Sequence, residues 1–79
     1  MSNLAKRSVL LSGHATSVAL EPEFWAVLDG IGEELKLTRA ELLIRIDEWR
    51  GRRPLASACR VLALQWAAGD RGFADARDH

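Results

Sequence analysis

Basic side chains are the residues of this sequence with the clearest chemical potential. Six of the eleven form three candidate groups along the chain, namely Lys6 with Arg7, Arg39 alone, and Arg50 with Arg52 and Arg53. Ammonium and guanidinium groups bind phosphate oxygens, so each group is a candidate contact with a polyanion. The third group lies at the end of a predicted helix, where cations stabilise the helix dipole, and we interpret it as structural.

Catalysis and metal binding find little support in the residue types. The histidines are His14 and His79, and the only cysteine is Cys59. The sequence has no Ser/His/Asp or Cys/His set, no glycine-rich phosphate loop and no metal-ligand spacing. Cys59 lies in an apolar segment and is expected to be an inert buried thiol. We therefore predict no enzyme activity, no catalytic residue, no cofactor and no metal site.

The chain has 79 residues, enough for one domain, and its eleven basic residues balance eleven acidic ones. The charge is uneven, however: residues 1–20 carry +2, residues 21–36 carry −4 and residues 37–53 carry +2. This pattern argues against tight non-specific polyanion binding but allows a local basic surface. We find no targeting segment and no apolar run long enough to span a membrane, and we expect a cytoplasmic protein without membrane contact.

The residue pattern predicts a mostly α protein with one short β-strand at about 15–20. Residues 1–7 have the composition of a flexible basic arm. Residues 8–11 also have an extended character, in which case Gly13 marks a bend or a bulge. Helical periodicity and end signals then predict helices at about 22–36, 38–50 and 55–68, followed by a polar tail at 69–79.

Several residues define the predicted helices and the core. Thr38 and Glu41 form a capping box at the start of the second helix. Gly30 and Gly32 weaken the first helix and are expected to allow the close approach of another helix. Three aromatic residues are assigned to the core or to an interface between subunits: Trp25, Trp49 and Trp66.

Alternation along the predicted strand separates two faces. Val18 and Leu20 form the apolar face, and Ala15, Ser17 and Ala19 point outward. A lone strand leaves its edges unpaired, and the simplest remedy is pairing with the same strand of a second chain. The sequence therefore predicts an intertwined homodimer with a two-stranded antiparallel ribbon.

With these elements the sequence resembles the ribbon-helix-helix superfamily. More narrowly, it is similar to short bacterial ribbon-helix-helix domain proteins that carry an additional C-terminal helix. The resemblance is carried by five segments: TSVALEPEFW at 16–25, LTRAEL at 37–42, KRSV at 6–9, GH at 13–14 and LASACRV at 55–61. It covers about residues 6–66, and residues 8–68 are expected to form the domain.

The resemblance implies a homodimeric DNA-binding protein that regulates transcription. In this superfamily the ribbon enters the major groove and its outward side chains contact base edges. The start of the second helix offers backbone amides to a phosphate. Carried over by position, the DNA-binding residues are Lys6, Arg7, Ala15, Ser17, Ala19, Thr38 and Arg39.

The small outward side chains motivate a second hypothesis. Ala15 and Ala19 offer no hydrogen-bonding group to a base. The same dimer fold would then serve as a protein–protein interaction module with little or no DNA binding. A third alternative is an antitoxin-type protein that binds both DNA and a partner protein, and the short polar tail argues against it.

Overall fold

The computed structural model describes residues 3–76 of the chain. Its elements in chain order are β1 (Ala5–Leu11), β2 (His14–Leu20), α1 (Pro22–Leu35), α2 (Arg39–Trp49), α3 (Leu55–Ala67) and α4 (Gly72–Ala76). A two-stranded antiparallel sheet followed by helices is the ribbon-helix-helix arrangement that the sequence predicts. The first two residues of the predicted arm and the last three of the predicted tail, including His79, lie outside the described residues.

One chain supplies both strands of the sheet, which corrects the prediction of a single strand. β1 and β2 pair antiparallel in a register that places Leu11 opposite His14. Ser12 and Gly13 join the strands with φ angles of 52° and 82°, and a tight two-residue hairpin loop requires such left-handed conformations. β2 therefore has a partner within its own chain, and pairing with its copy from a second chain is not needed to complete the ribbon. The homodimer itself stays a prediction.

The first strand also takes residues 5–7 out of the predicted flexible arm. Lys6 and Arg7 lie in β1 with exposed side chains, while their backbones pair with Ala19 and Val18. Basic residues suit a strand at the edge of a sheet, because their side chains reach water and discourage pairing with another chain.

The inner face of the hairpin packs on the helices. Val9, Val18 and Leu20 are buried there, as the alternation predicts for the two β2 residues. The core continues through apolar residues of all four helices: Trp25, Leu28, Ile31, Leu42, Leu43, Ile46, Ala58, Cys59, Leu62, Ala63, Trp66 and Phe73. Burial of this surface stabilises the fold at about 25 cal/mol per Å² of apolar area. A single chain thus closes one continuous core.

The end of α1 explains one of the two glycines in that helix. Lys36 adopts a left-handed conformation with φ 59°, and the Leu37 amide donates to the Gly32 carbonyl at 2.8 Å. A Cβ atom on Gly32 would lie 2.9 Å from the Leu37 carbonyl oxygen, whereas one on Gly30 would meet nothing within 4 Å. Gly32 therefore permits the close approach of the α1–α2 loop and not, as predicted, of another helix.

These two glycines form a matched test of the α1–α2 connection. We expect Gly32→Ala to lower the free energy of unfolding by about 1–3 kcal/mol, because the new methyl group displaces backbone. Gly30→Ala should raise it by about 0.5–1 kcal/mol through helix propensity. Urea unfolding followed by circular dichroism measures both. Equal effects of the two substitutions would contradict this account.

The C-terminal segment is not wholly the polar tail that the composition predicts, because α4 docks on the domain. Phe73 is buried, and its ring meets Trp49 edge to face with centroids 5.4 Å apart. The Arg71 guanidinium lies 4.0 Å from the centroid of the Trp66 ring and donates to the Trp66 carbonyl at 2.7 Å. Two aromatic contacts thus hold a segment whose other residues are mostly polar.

Candidate nucleic-acid interface

The outward face of the hairpin consists of three pairs of directly opposed residues. The pairs are Lys6 with Ala19, Ser8 with Ser17, and Leu10 with Ala15. Five of these side chains are exposed, and Ala19 is half-buried. The predicted outward residues of β2 thus lie together on this surface, which we call the ribbon face.

Half of the ribbon face comes from β1, and sequence reasoning missed Ser8 and Leu10. Leu10 is 65% exposed on this face. The sequence did contain a signal for this strand. Ser12 and Gly13 separate two extended segments by two residues, the loop length of the tightest hairpins.

Trp25 brings two of the candidate arginines to one corner of the molecule. Its ring is buried, and its Nε1–H donates to the Ala5 carbonyl at 2.7 Å. The guanidinium carbons of Arg7 and Arg39 lie 5.7 and 5.6 Å from the ring centroid. Both distances fall within the range of cation–π attraction. We call Arg7, Trp25 and Arg39 the Trp25 corner. Lys6, which precedes Arg7 in β1, belongs to the ribbon face.

Arg39 is also held by a carboxylate on α1. Its Nε and Nη2 atoms donate to the two oxygens of Asp29 at 3.1 and 3.0 Å. This two-pronged ion pair fixes the plane of the guanidinium and raises the pKa of Arg39. It also cancels part of the positive charge that Arg39 would present to a phosphate.

The start of α2 already holds a carboxylate where a phosphate is predicted. The Thr38 amide donates to Glu41 Oε1 at 2.8 Å, and the Glu41 amide donates to Thr38 Oγ1 at 3.1 Å. The capping box predicted from the sequence is thereby confirmed. Hydrogen bonds from the Thr38 amide, and then from its hydroxyl, hold the pKa of Glu41 below its usual value. The helix dipole is thus partly compensated by the chain itself.

The third basic group has the structural role that its position suggests. Arg50 Nε pairs with Asp47 at 2.7 Å, and Arg50 Nη1 donates to the Arg53 carbonyl at 2.6 Å. The Arg53 guanidinium lies 5.7 Å from the centroid of the Trp49 ring. Two of the three arginines therefore brace the turn between α2 and α3.

The remaining candidate groups in residues 3–76 are one cysteine and the side chains that could bind a metal ion. Cys59 is fully buried, and burial raises the pKa of its thiol to about 11, so it stays protonated near neutral pH. The described part of the chain contains no cluster of three His, Cys, Asp or Glu side chains that could bind a metal ion. It also contains no helix of the length and apolarity needed to span a bilayer.

Comparison with known proteins gives one match. The model of the ribbon-helix-helix domain family aligns with residues 4–67 of the 79, which include both strands and α1 to α3 but not α4. Proteins of this family are generally DNA-binding transcriptional regulators and typically form dimers. Searches of curated proteins and of solved structures return no significant match. From the extent of the family match and the order of its elements, the chain belongs to the ribbon-helix-helix domain family.

Proposed function

We propose that this protein is a homodimeric DNA-binding regulator of transcription that inserts its own β1–β2 hairpin into the major groove. The observation that carries the proposal is the ribbon face, a two-stranded antiparallel surface with exposed side chains and Lys6 at one end. The family membership supports DNA as the ligand. The mechanism differs from the predicted one, because both strands of the inserted ribbon come from one chain.

The dimensions of the hairpin suit the groove. Two paired strands lie roughly 4.8 Å apart, and seven residues span roughly 23 Å. The major groove of B-DNA is about 12 Å wide and admits one two-stranded ribbon. The inner face of the hairpin is covered by the helices, so the ribbon face is the side that base edges can approach.

Phosphate contacts in this proposal come from Lys6 and from the Trp25 corner. The guanidinium of Arg39 has five N–H donors, and the pair with Asp29 uses two of them. The Thr38 hydroxyl already accepts from the Glu41 amide and bonds to the Glu41 carboxylate, so it has little hydrogen-bonding capacity left for a phosphate. The phosphate contacts at the start of α2 are therefore expected to be fewer and weaker than at a helix start whose donors are free.

Releasing Arg39 from its carboxylate should strengthen DNA binding. We expect Asp29→Asn to raise affinity by about two- to fivefold at moderate salt, the range that exposed ion pairs support. The slope of log K against the logarithm of the salt concentration should steepen by up to about 0.9, the value for one additional phosphate contact. Fluorescence anisotropy with a labelled duplex measures both. Asp75→Asn in α4 makes the same charge change elsewhere, and an equal gain in that control would contradict a local role for Arg39.

The geometry also restricts where two copies can meet. A dimer joined along β2 would contain four strands and measure roughly 14 Å between its outer strands. That is wider than the groove, at about 12 Å. In the proposed dimer the copies therefore join through the helices. The exposed apolar residues that α2 and α3 offer for this contact are Ile44 and Leu64.

The alternative function, a protein–protein interaction module, is favoured by one observation. Within the described residues the sheet has two strands, so the outer edge of β2 lacks a strand partner. β2 carries no Lys, Arg, Asp or Glu, unlike β1 with Lys6 and Arg7. Charged edges discourage strand addition, and uncharged ones permit it. A partner strand at β2 would widen the sheet to roughly 10 Å between its outer strands, which is most of the width of the groove.

One pair of measurements separates the two functions. Light scattering at micromolar concentration gives the oligomeric state, and anisotropy with genomic fragments at low salt gives DNA binding. A dimer that binds DNA with steep salt dependence, and loses affinity on Lys6→Ala, supports the proposed function. A dimer that binds no DNA, but that captures another protein through a contact abolished by Ser17→Lys, supports the interaction module.

A further inference from the structure

We infer that Leu10 is a specificity-determining residue that selects thymine through its C5-methyl group. This inference rests on the proposed function and concerns the same ribbon face. Leu10 is 65% exposed and faces Ala15 directly across the hairpin. The pair forms an apolar patch at the loop end of a surface whose other pairs contain Ser8 with Ser17 and Lys6 with Ala19.

The chemistry of base edges identifies the ligand of this patch. Donors and acceptors cover the major-groove edges of all four bases, and the thymine methyl is their one apolar group. Neither Leu10 nor Ala15 has a side-chain hydrogen-bonding group. A polar base edge placed against them would lose its hydrogen bonds to water and gain none from the protein. A methyl group placed there instead buries apolar area on both sides.

The other two pairs of the ribbon face discriminate between bases less well than the Leu10–Ala15 pair at the loop end. Ser8 and Ser17 can donate to or accept from any base edge, and they discriminate little. Ala19 is too small to reach far into the groove, while Lys6 is long and flexible and contacts a base or a phosphate equally well. A preference in sequence is therefore expected to come first from Leu10.

The test replaces thymine by deoxyuridine, which lacks only the methyl group. Binding sites are first selected from random duplexes with the full chain, and each thymine of the selected site is then changed singly. We expect one thymine whose replacement weakens binding by about three- to fivefold, the effect of one buried methyl group. In Leu10→Ala the same replacement should change affinity by less than about 1.5-fold.

A control variant uses an exposed residue outside both the ribbon face and the proposed dimer contact. Glu34 on α1 is exposed, and Glu34→Ala should keep the full discrimination between thymine and deoxyuridine. DNA binding without any thymine preference, or a preference that survives Leu10→Ala, overturns the inference and leaves the proposed function standing. Failure of the unaltered chain to bind any duplex at low salt overturns the proposed function, and the inference with it.

Discussion

Trp25→Ala is expected to lower the free energy of unfolding by about 4 kcal/mol, within the range for large aromatic residues in cores. The ring is 3% exposed, so its removal leaves a cavity between the hairpin and α1. The Ala5 carbonyl loses its donor at the same time. A loss of this size approaches the whole stability of a small domain, about 5 kcal/mol at the low end. Urea unfolding followed by far-ultraviolet circular dichroism measures it.

A conservative variant keeps this prediction testable even if the alanine variant fails to fold. Trp25→Phe retains most of the ring but removes the Nε1–H bond to the Ala5 carbonyl. We expect a loss of about 1–2 kcal/mol from the missing bond and the smaller ring. Glu34→Ala, at an exposed position on α1, should change stability by less than about 0.5 kcal/mol. A Trp25→Phe variant as stable as the unaltered chain would show that the bond does not anchor β1.

Phe73→Ala is expected to lower the free energy of unfolding by about 3 kcal/mol, at the lower end for buried phenylalanine because the chain end can readjust. Phe73 is 6% exposed and meets Trp49 edge to face. Its loss should release α4 and expose the Trp49 ring to water. We therefore also expect a red shift of tryptophan emission and stronger quenching by acrylamide.

Two controls for Phe73→Ala distinguish the loss of apolar packing from a general effect of substitution in α4. Phe73→Leu keeps an apolar side chain and should cost about 1 kcal/mol. Asp75→Ala, on the exposed side of the same short helix, should leave emission unchanged. If Phe73→Ala altered neither stability nor fluorescence, α4 would not be docked in solution.

The sequence predicts the helical part of this fold well because the controlling physics is local. Pro22 begins α1, and the reciprocal bonds of Thr38 and Glu41 begin α2, as their spacing indicates. The faces of β2 follow from strict alternation, which buries Val18 and exposes Ser17. Each of these features depends on residues within four positions of one another.

The features that escaped prediction depend on contacts between distant residues. The bond from Trp25 to the Ala5 carbonyl joins residues twenty positions apart, and the Asp29–Arg39 pair joins residues ten apart. α4 is anchored chiefly by Phe73. One apolar residue is too weak a periodic signal to distinguish a short docked helix from a polar tail. The Asp29–Arg39 pair explains why the basic residue at the start of α2 presents only part of its charge to a phosphate.

The Ser12–Gly13 connection makes formation of the sheet a first-order process. Closing so short a loop costs little chain entropy, and hairpins of this kind form within about 1–10 μs. A ribbon built from two separate chains would instead melt on dilution, since its assembly is second order. We therefore expect the ribbon face of this protein to persist at nanomolar concentrations, where only the proposed contact between copies would depend on the amount of protein.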